Sequence, residues 1–83
     1  MLDKILLTGA GGRLGSYLRE PLTKMAHELI SIDIKPDIGQ LYDREIFEQV
    51  DLQDFSEIRR VSKGVDVIVH FGAIVDEAPF PEL

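Results

Sequence analysis

Leu7-Thr8-Gly9-Ala10-Gly11-Gly12-Arg13-Leu14-Gly15 follows directly on an apolar run that begins at Lys4. Ile5, Leu6 and Leu7 show no polar alternation, the pattern of a strand buried on both faces. Past the glycines, Leu14, Tyr17, Leu18 and Leu22 recur at helical spacing. Strand, glycine turn and helix together are the context in which a glycine-rich run cradles phosphate. A G-x-G-x-x-G motif starting at Gly9 would need glycine at 14, which is leucine, so the spacing is T-G-x-x-G-x-x-G through Gly9, Gly12 and Gly15. Gly9 lets the chain turn sharply off the strand. Gly12 lets the backbone approach a pyrophosphate without a Cβ between them, and Gly15 lets the helix lie close against the sheet. The first amides of the helix and the positive end of its dipole then favour an anion. A tight strand-to-helix turn with no ligand is the plain alternative, but three regularly spaced glycines are an entropic cost that such a turn does not need.

The 83 residues fall below the usual domain size, so an independent core would be modest. Nine basic against fifteen acidic residues give a net charge of -6, which argues against nucleic acid or an anionic membrane as partner. Without cysteine there is no disulfide and no thiolate metal site, and a reducing, cytoplasmic setting is expected. His27 and His70 stand far apart with no ligand cluster beside either, so no metal is expected. No apolar stretch approaches a membrane span, and Met1-Leu2-Asp3-Lys4 lacks the basic and long apolar regions of a signal peptide.

Beyond the glycine run, the pattern predicts a first strand over 4–8 and a helix over 13–26 that Pro21 deprives of one hydrogen bond and bends. A second strand over 28–33 ends at Asp33, a loop rich in Pro, Gly and Asp occupies 35–43, and a third strand spans 46–51. Asp54-Phe55-Ser56-Glu57 has the form of a capping box, with Asp54 as N-cap and Glu57 reaching back. That helix is expected to run to about residue 63, with Gly64 at C′. The β-branched residues of 65–71 form a fourth strand. Alternation of this kind implies a parallel sheet with right-handed crossovers: a Rossmann-type, doubly wound α/β fold, strand order 3-2-1-4, with its cleft between strands one and four. A strand as hydrophobic as 65–71 needs neighbours on both sides, and 79–83 reads as the approach to another helix. Residues 1–83 are therefore expected to be the N-terminal part of a longer nucleotide-binding domain.

The candidate ligand residues cluster at the carboxyl ends of the strands. Asp33, eighteen residues past Gly15, is placed to accept hydrogen bonds from adenosine ribose hydroxyls and to repel a 2′-phosphate, which favours NAD over NADP. Lys35 beside it would offset part of that repulsion. Asp51 would accept from the adenine amine, with the Leu52 backbone against the ring; a capping role for Asp51 is the competing assignment. Gly72 and Ala73 would let a cofactor lie close to the backbone. Arg13 would meet a pyrophosphate or a ribose phosphate, or else simply be solvated, and Leu14 beside it completes the candidate cofactor set with Gly9, Gly12 and Gly15. His70 is expected to be structural, and Asp76 and Glu77 to be solvated carboxylates.

Thr8-Gly9-x-x-Gly12-x-x-Gly15, Asp33, the Asp51-Leu52 pair and His70-x-Gly72-Ala73 together resemble the extended short-chain dehydrogenase/reductases, specifically the NAD-dependent epimerase/dehydratase group. Arg19-Glu20-Pro21-Leu22 and His70-Phe71-Gly72-Ala73-Ile74 are similar to uronate dehydrogenases within it. The resemblance covers essentially the whole chain but only the first third of a family member. It implies NAD as cofactor, a sugar or sugar-nucleotide substrate, a hydride transfer, and compatibility with a homo-oligomer. It also implies a catalytic tyrosine with a lysine four residues on. Four residues past Tyr17 stands Pro21 and four past Tyr42 stands Ile46, so no catalytic residue is expected in this segment, which alone is expected to be inactive. Two other readings stand beside the enzyme: a redox-sensing regulator that holds dinucleotide without turnover, and an atypical flavin or NADPH reductase.

Overall fold

The computed structural model describes residues 1–71. Its elements are β1 (Leu2–Thr8), α1 (Arg13–Thr23), β2 (Ala26–Asp33), β3 (Glu45–Gln49), α2 (Phe55–Val61) and β4 (Val67–His70). The strands form one sheet in the order β3-β2-β1-β4, every pair parallel. Order and direction are those expected of a doubly wound sheet.

Neighbouring residues of the central strands point to opposite faces, so one uninterrupted apolar run builds two cores. Ile5, Leu7 and Leu29 join Ala10, Leu22 and Ala26 under α1. Leu6, Ile30 and Ile32 join Val50 and Val61 on the α2 side. Leu7, Leu29 and Ile32 are fully buried, which explains the missing alternation.

The element ends differ from expectation for reasons of pairing. β1 and β2 each begin two residues early: Leu2 pairs with Ala26, and Lys4 lies opposite Glu28. The β2 start takes the end of the expected helix. α1 stops at Thr23, and the Lys24 and Met25 amides donate to the Pro21 and Leu22 carbonyls in a closing turn. Pro21 thus sits in the last turn, where its missing N–H costs one intrahelical bond. β3 ends at Gln49 rather than 51 because Asp51 enters a turn, its Oδ1 accepting from the Gln53 amide at 2.9 Å. β4 is shorter than 65–71 because the Val65 amide donates to the Ser62 carbonyl and the Asp66 carboxylate accepts from the amides of Asp3 and Lys4.

Asp54 caps α2 as expected, accepting from the Glu57 amide and the Ser56 hydroxyl. Glu57 does not reach back to complete a capping box; its carboxylate is held by Arg60 one turn on. The C-cap of α2 is Ser62, and Gly64 takes a left-handed conformation (φ 76°) two residues later.

The buried face of α1 is also not the apolar stripe. Leu14 and Tyr17 are exposed, while Gly15, Arg19, Leu22 and Thr23 face inward. A glycine and an arginine set the rotation of this helix.

Candidate functional site

The glycine turn joins the carboxyl end of β1 to the start of α1. Gly9 takes φ 74°, a conformation that strains any other residue. Its carbonyl accepts from the Gly12 amide at 3.0 Å, and the Ala10 amide extends the β1–β2 pairing by donating to Ile32 at 3.1 Å. A Cβ on Gly15 would lie 2.1 Å from the Gly9 carbonyl oxygen, so the close approach that Gly15 permits is to the turn itself rather than to the sheet. Gly12 is different: it is extended (φ -84°, ψ -178°), and a Cβ there would make only an ordinary 3.4 Å contact. Nothing among the described residues requires glycine at 12. α1 opens without a side-chain cap and without an acidic residue in its first turn, so its first N–H groups have no side-chain acceptor.

Asp33 ends β2 beside this turn. Its Oδ2 accepts from the Gly11 amide at 2.8 Å and its Oδ1 from the Lys35 amide at 2.9 Å. The carboxylate is thus oriented by two backbone donors and retains free lone pairs on both oxygens. The Lys35 ammonium bends back to the Gly11 carbonyl at 3.1 Å. Gly11, absent from the candidate set, is hemmed in by this arrangement: a Cβ would come within 3.0 Å of Ile38 Cγ2, 3.2 Å of Asp33 Oδ2 and 3.3 Å of Lys35 Cδ.

Across the sheet, the Thr8 hydroxyl lies 2.9 Å from His70 Nδ1 and accepts from the Phe71 amide at 2.9 Å. His70 ties the ends of β1 and β4 together, a structural contact with a neighbouring strand rather than a loop. Arg13 and Leu14 are exposed at the helix start. The Asp51 side chain is engaged in its own turn, and Leu52 packs on the α2-side core. Gly72, Ala73, Asp76 and Glu77 lie outside the described residues.

One polar cluster beside the site has no counterpart in the sequence reading. Arg19 and Glu45 form a buried, bidentate ion pair, Nε to Oε2 at 2.7 Å and Nη2 to Oε1 at 2.9 Å. The guanidinium also donates to the carbonyls of Ile38 (2.8 Å) and Gln40 (2.9 Å). Glu45 accepts in addition from the Ser31 hydroxyl at 2.6 Å and the Tyr42 amide at 2.9 Å. Burial pushes the Glu45 carboxyl up, but the hydrogen bonds from Arg19, Ser31 and Tyr42 outweigh it and hold the group below its ordinary value. The hydrogen bond to Glu45 raises Arg19 against the opposing effect of burial. The sequence held two signals: Ser31 interrupts an apolar strand, and Arg19 falls between Leu18 and Leu22.

A four-stranded parallel sheet in this order, with a glycine turn off its first strand, defines a Rossmann-type α/β unit. Residues 5–79 match the NAD dependent epimerase/dehydratase family, and the chain belongs to it. It is 41% identical over 81 residues to an uronate dehydrogenase of Pseudomonas syringae pv. tomato, covering 98% of this chain and 30% of the relative. Two solved structures superpose closely. One is an uronate dehydrogenase variant from Agrobacterium tumefaciens complexed with NAD (TM-score 0.83, 37% identity, 98% of this chain and 30% of that one). The other is a glucuronic acid dehydrogenase from Chromohalobacter salexigens (TM-score 0.84, 36% identity, 98% and 30%). The chain therefore spans about 30% of the length of these relatives.

Proposed function

We propose that this chain is the cofactor-gripping segment of an NAD-dependent dehydrogenase whose substrate is a sugar acid of the uronate class. Kinship with uronate dehydrogenases supports the substrate class. The observation that carries the cofactor assignment is the Asp33 carboxylate, oriented beside the glycine turn by the Gly11 and Lys35 amides. Its free lone pairs suit a vicinal diol, and its charge disfavours a 2′-phosphate. The residues present fit a dinucleotide. Gly12 needs no hydrogen side chain for internal reasons, so its bare backbone suits a pyrophosphate against the uncapped start of α1. Gly9 and Gly15 hold that turn in shape, Arg13 is exposed next to it, and Asp51, Leu52, Gly72 and Ala73 complete the candidate set.

Bound NAD would supply the hydride acceptor for oxidation of a sugar carbon. The described residues bind and orient the adenosine and pyrophosphate end; none of them moves a proton on substrate.

Titration of the complete protein with NAD and NADP tests this. NAD should bind at least tenfold more tightly than NADP, and Asp33→Ala should weaken NAD binding by about tenfold, the equivalent of a lost charge-assisted hydrogen bond. An unchanged NAD affinity in Asp33→Ala would remove the ribose assignment. Tight NAD binding without oxidation of any uronate would instead favour a dinucleotide sensor.

A further inference from the structure

We propose that Arg19 is a positioning residue for the adenosine end of the cofactor. With Glu45 it fixes the loop after β2 so that Ile38 and Lys35 stand as a wall against Gly11 and Asp33. The inference rests on the dinucleotide reading above and adds to it a residue that touches no ligand.

The geometry runs in one continuous chain of contacts. Arg19 projects from α1, the helix that opens at the glycine turn, and its guanidinium spends four hydrogen bonds on three partners. Two go to Glu45, whose segment begins β3, and two go to the backbone carbonyls of Ile38 and Gln40 in the loop between. The loop end is gripped as well. The Glu45 carboxylate accepts from the Tyr42 amide, the Tyr42 ring lies 5.2 Å from the guanidinium carbon, and Arg44 takes φ 72° to turn the chain into β3. The clamp therefore fixes both ends of 38–45 from the helix side. It holds the Ile38 carbonyl while Ile38 Cγ2 stands 3.0 Å from where a Gly11 Cβ would be, three residues after Lys35, whose ammonium donates to the Gly11 carbonyl.

Two physical arguments separate this from ordinary core packing. A buried ion pair is a poor way to gain stability, because apolar residues of similar volume usually match or exceed it. What a planar, five-donor fork supplies instead is a fixed direction for each partner, and here two of those partners are loop carbonyls. The clamp also controls charge at the ribose. While Lys35 is docked on Gly11, its ammonium is directed at a carbonyl and the Asp33 carboxylate faces the ribose position without a mobile cation over it. A released loop would free that ammonium to meet a 2′-phosphate.

The test is titration of the complete protein and its variants with NAD and with NADP, alongside kcat for uronate oxidation at saturating cofactor. Arg19→Lys keeps the charge and loses the fork. It should raise the NAD dissociation constant roughly tenfold, leave kcat within about twofold, and narrow the preference for NAD over NADP. Adding Lys35→Ala to Arg19→Lys should restore the preference without restoring the affinity. A purely structural arginine would change both dissociation constants by the same factor and leave their ratio intact, and that result would overturn the proposal. If Arg19→Lys does not fold, Ile38→Ala decides, because it keeps the backbone carbonyl that Arg19 holds and trims only the partly buried side chain that stands against Gly11. NAD binding weakened several-fold with unchanged kcat supports the proposal, and unchanged NAD binding overturns it. A parent protein that binds no NAD would overturn the dinucleotide reading and this inference together; a parent that binds NAD with variants equal to it would overturn this inference alone.

Discussion

The two faces of the sheet each hold an arginine that grips carboxylates, and the surrounding water makes them different devices. Arg19, under α1, has a side chain 7% exposed and its partner Glu45 is fully buried. Arg60, on α2, bridges Glu48 and Glu57 with a side chain 51% exposed. Both are multiply hydrogen-bonded, so the count of contacts does not distinguish them. In the dry setting each polar atom must find a partner or lose its hydration uncompensated. At the surface water substitutes for any partner that leaves. Among the described residues, the α2 side accordingly builds its core from Leu6, Ile30, Ile32, Val50 and Val61, with Leu52, Ile58 and Val65 packed against them, and keeps charge outside. The α1 side places a polar knot within its core, and what it gains is a loop held at a fixed distance from the glycine turn.

The sharpest break of this contrast is Glu45→Leu, which strands Arg19, Ser31 and the Tyr42 amide without their acceptor. It should cost about 3–5 kcal/mol in denaturant unfolding of the complete protein. The paired exchange Arg19→Met with Glu45→Leu should return near parental stability while still loosening the 38–45 loop; a double variant as unstable as the single one would show that the knot is needed for the fold itself. Gly15→Ala follows in size. Its Cβ meets backbone rather than a movable side chain, and a loss of about 1–3 kcal/mol is expected, with α1 displaced from the turn.

Acid should probe the buried pair next. Glu45 has its carboxyl lowered from an ordinary 4.5 in the folded state. Its contribution is therefore complete above that value and is lost as the pH falls from there through the depressed folded value. Glu45→Gln should flatten the acid limb of a stability profile below about pH 4.5 and leave the profile near pH 7 parallel to the parent's. An acid limb unchanged by that substitution would assign it to other carboxylates. The smallest effect belongs to Arg60→Ala. It should move the thermal midpoint by no more than about two degrees, and by less in high salt, since exposed pairs are weak and screened.

The difference between the arginines also explains what could be read from the residues alone. Glycine spacing, strand order and the position of Asp33 were legible because each follows from a local rule: a turn needs left-handed backbone at Gly9, and a doubly covered strand needs an unbroken apolar run. The Arg19–Glu45 knot was not, because apolar patterning treats every charged residue as solvated. Nor does it mark the inner face of α1, where Leu14 and Tyr17 are apolar and exposed while Arg19 is charged and buried. Strand ends were displaced for a related reason. Whether Leu2 or Ala26 belongs to a strand is settled by its partner across the sheet, 24 residues away in the chain, which no local window contains.

The pairing of Thr8 with both Ile32 and His70 has a kinetic consequence. From Thr8 the chain must close over 24 positions to reach Ile32, but over 62 to reach His70. The longer closure is dearer by only about 1 kcal/mol, yet it cannot be rewarded until the shorter one has formed the strand it docks on. Assembly should then run outward from the β1–α1–β2 unit, with β4 arriving last. Destabilising substitutions in β4 would chiefly speed unfolding, whereas those in β2 would slow folding, a contrast that refolding kinetics can measure. The β1–β4 pairing should thus be the last of the three described pairings to form, and a ligand seated at its carboxyl end would act on the slow return of the chain as much as on the finished fold.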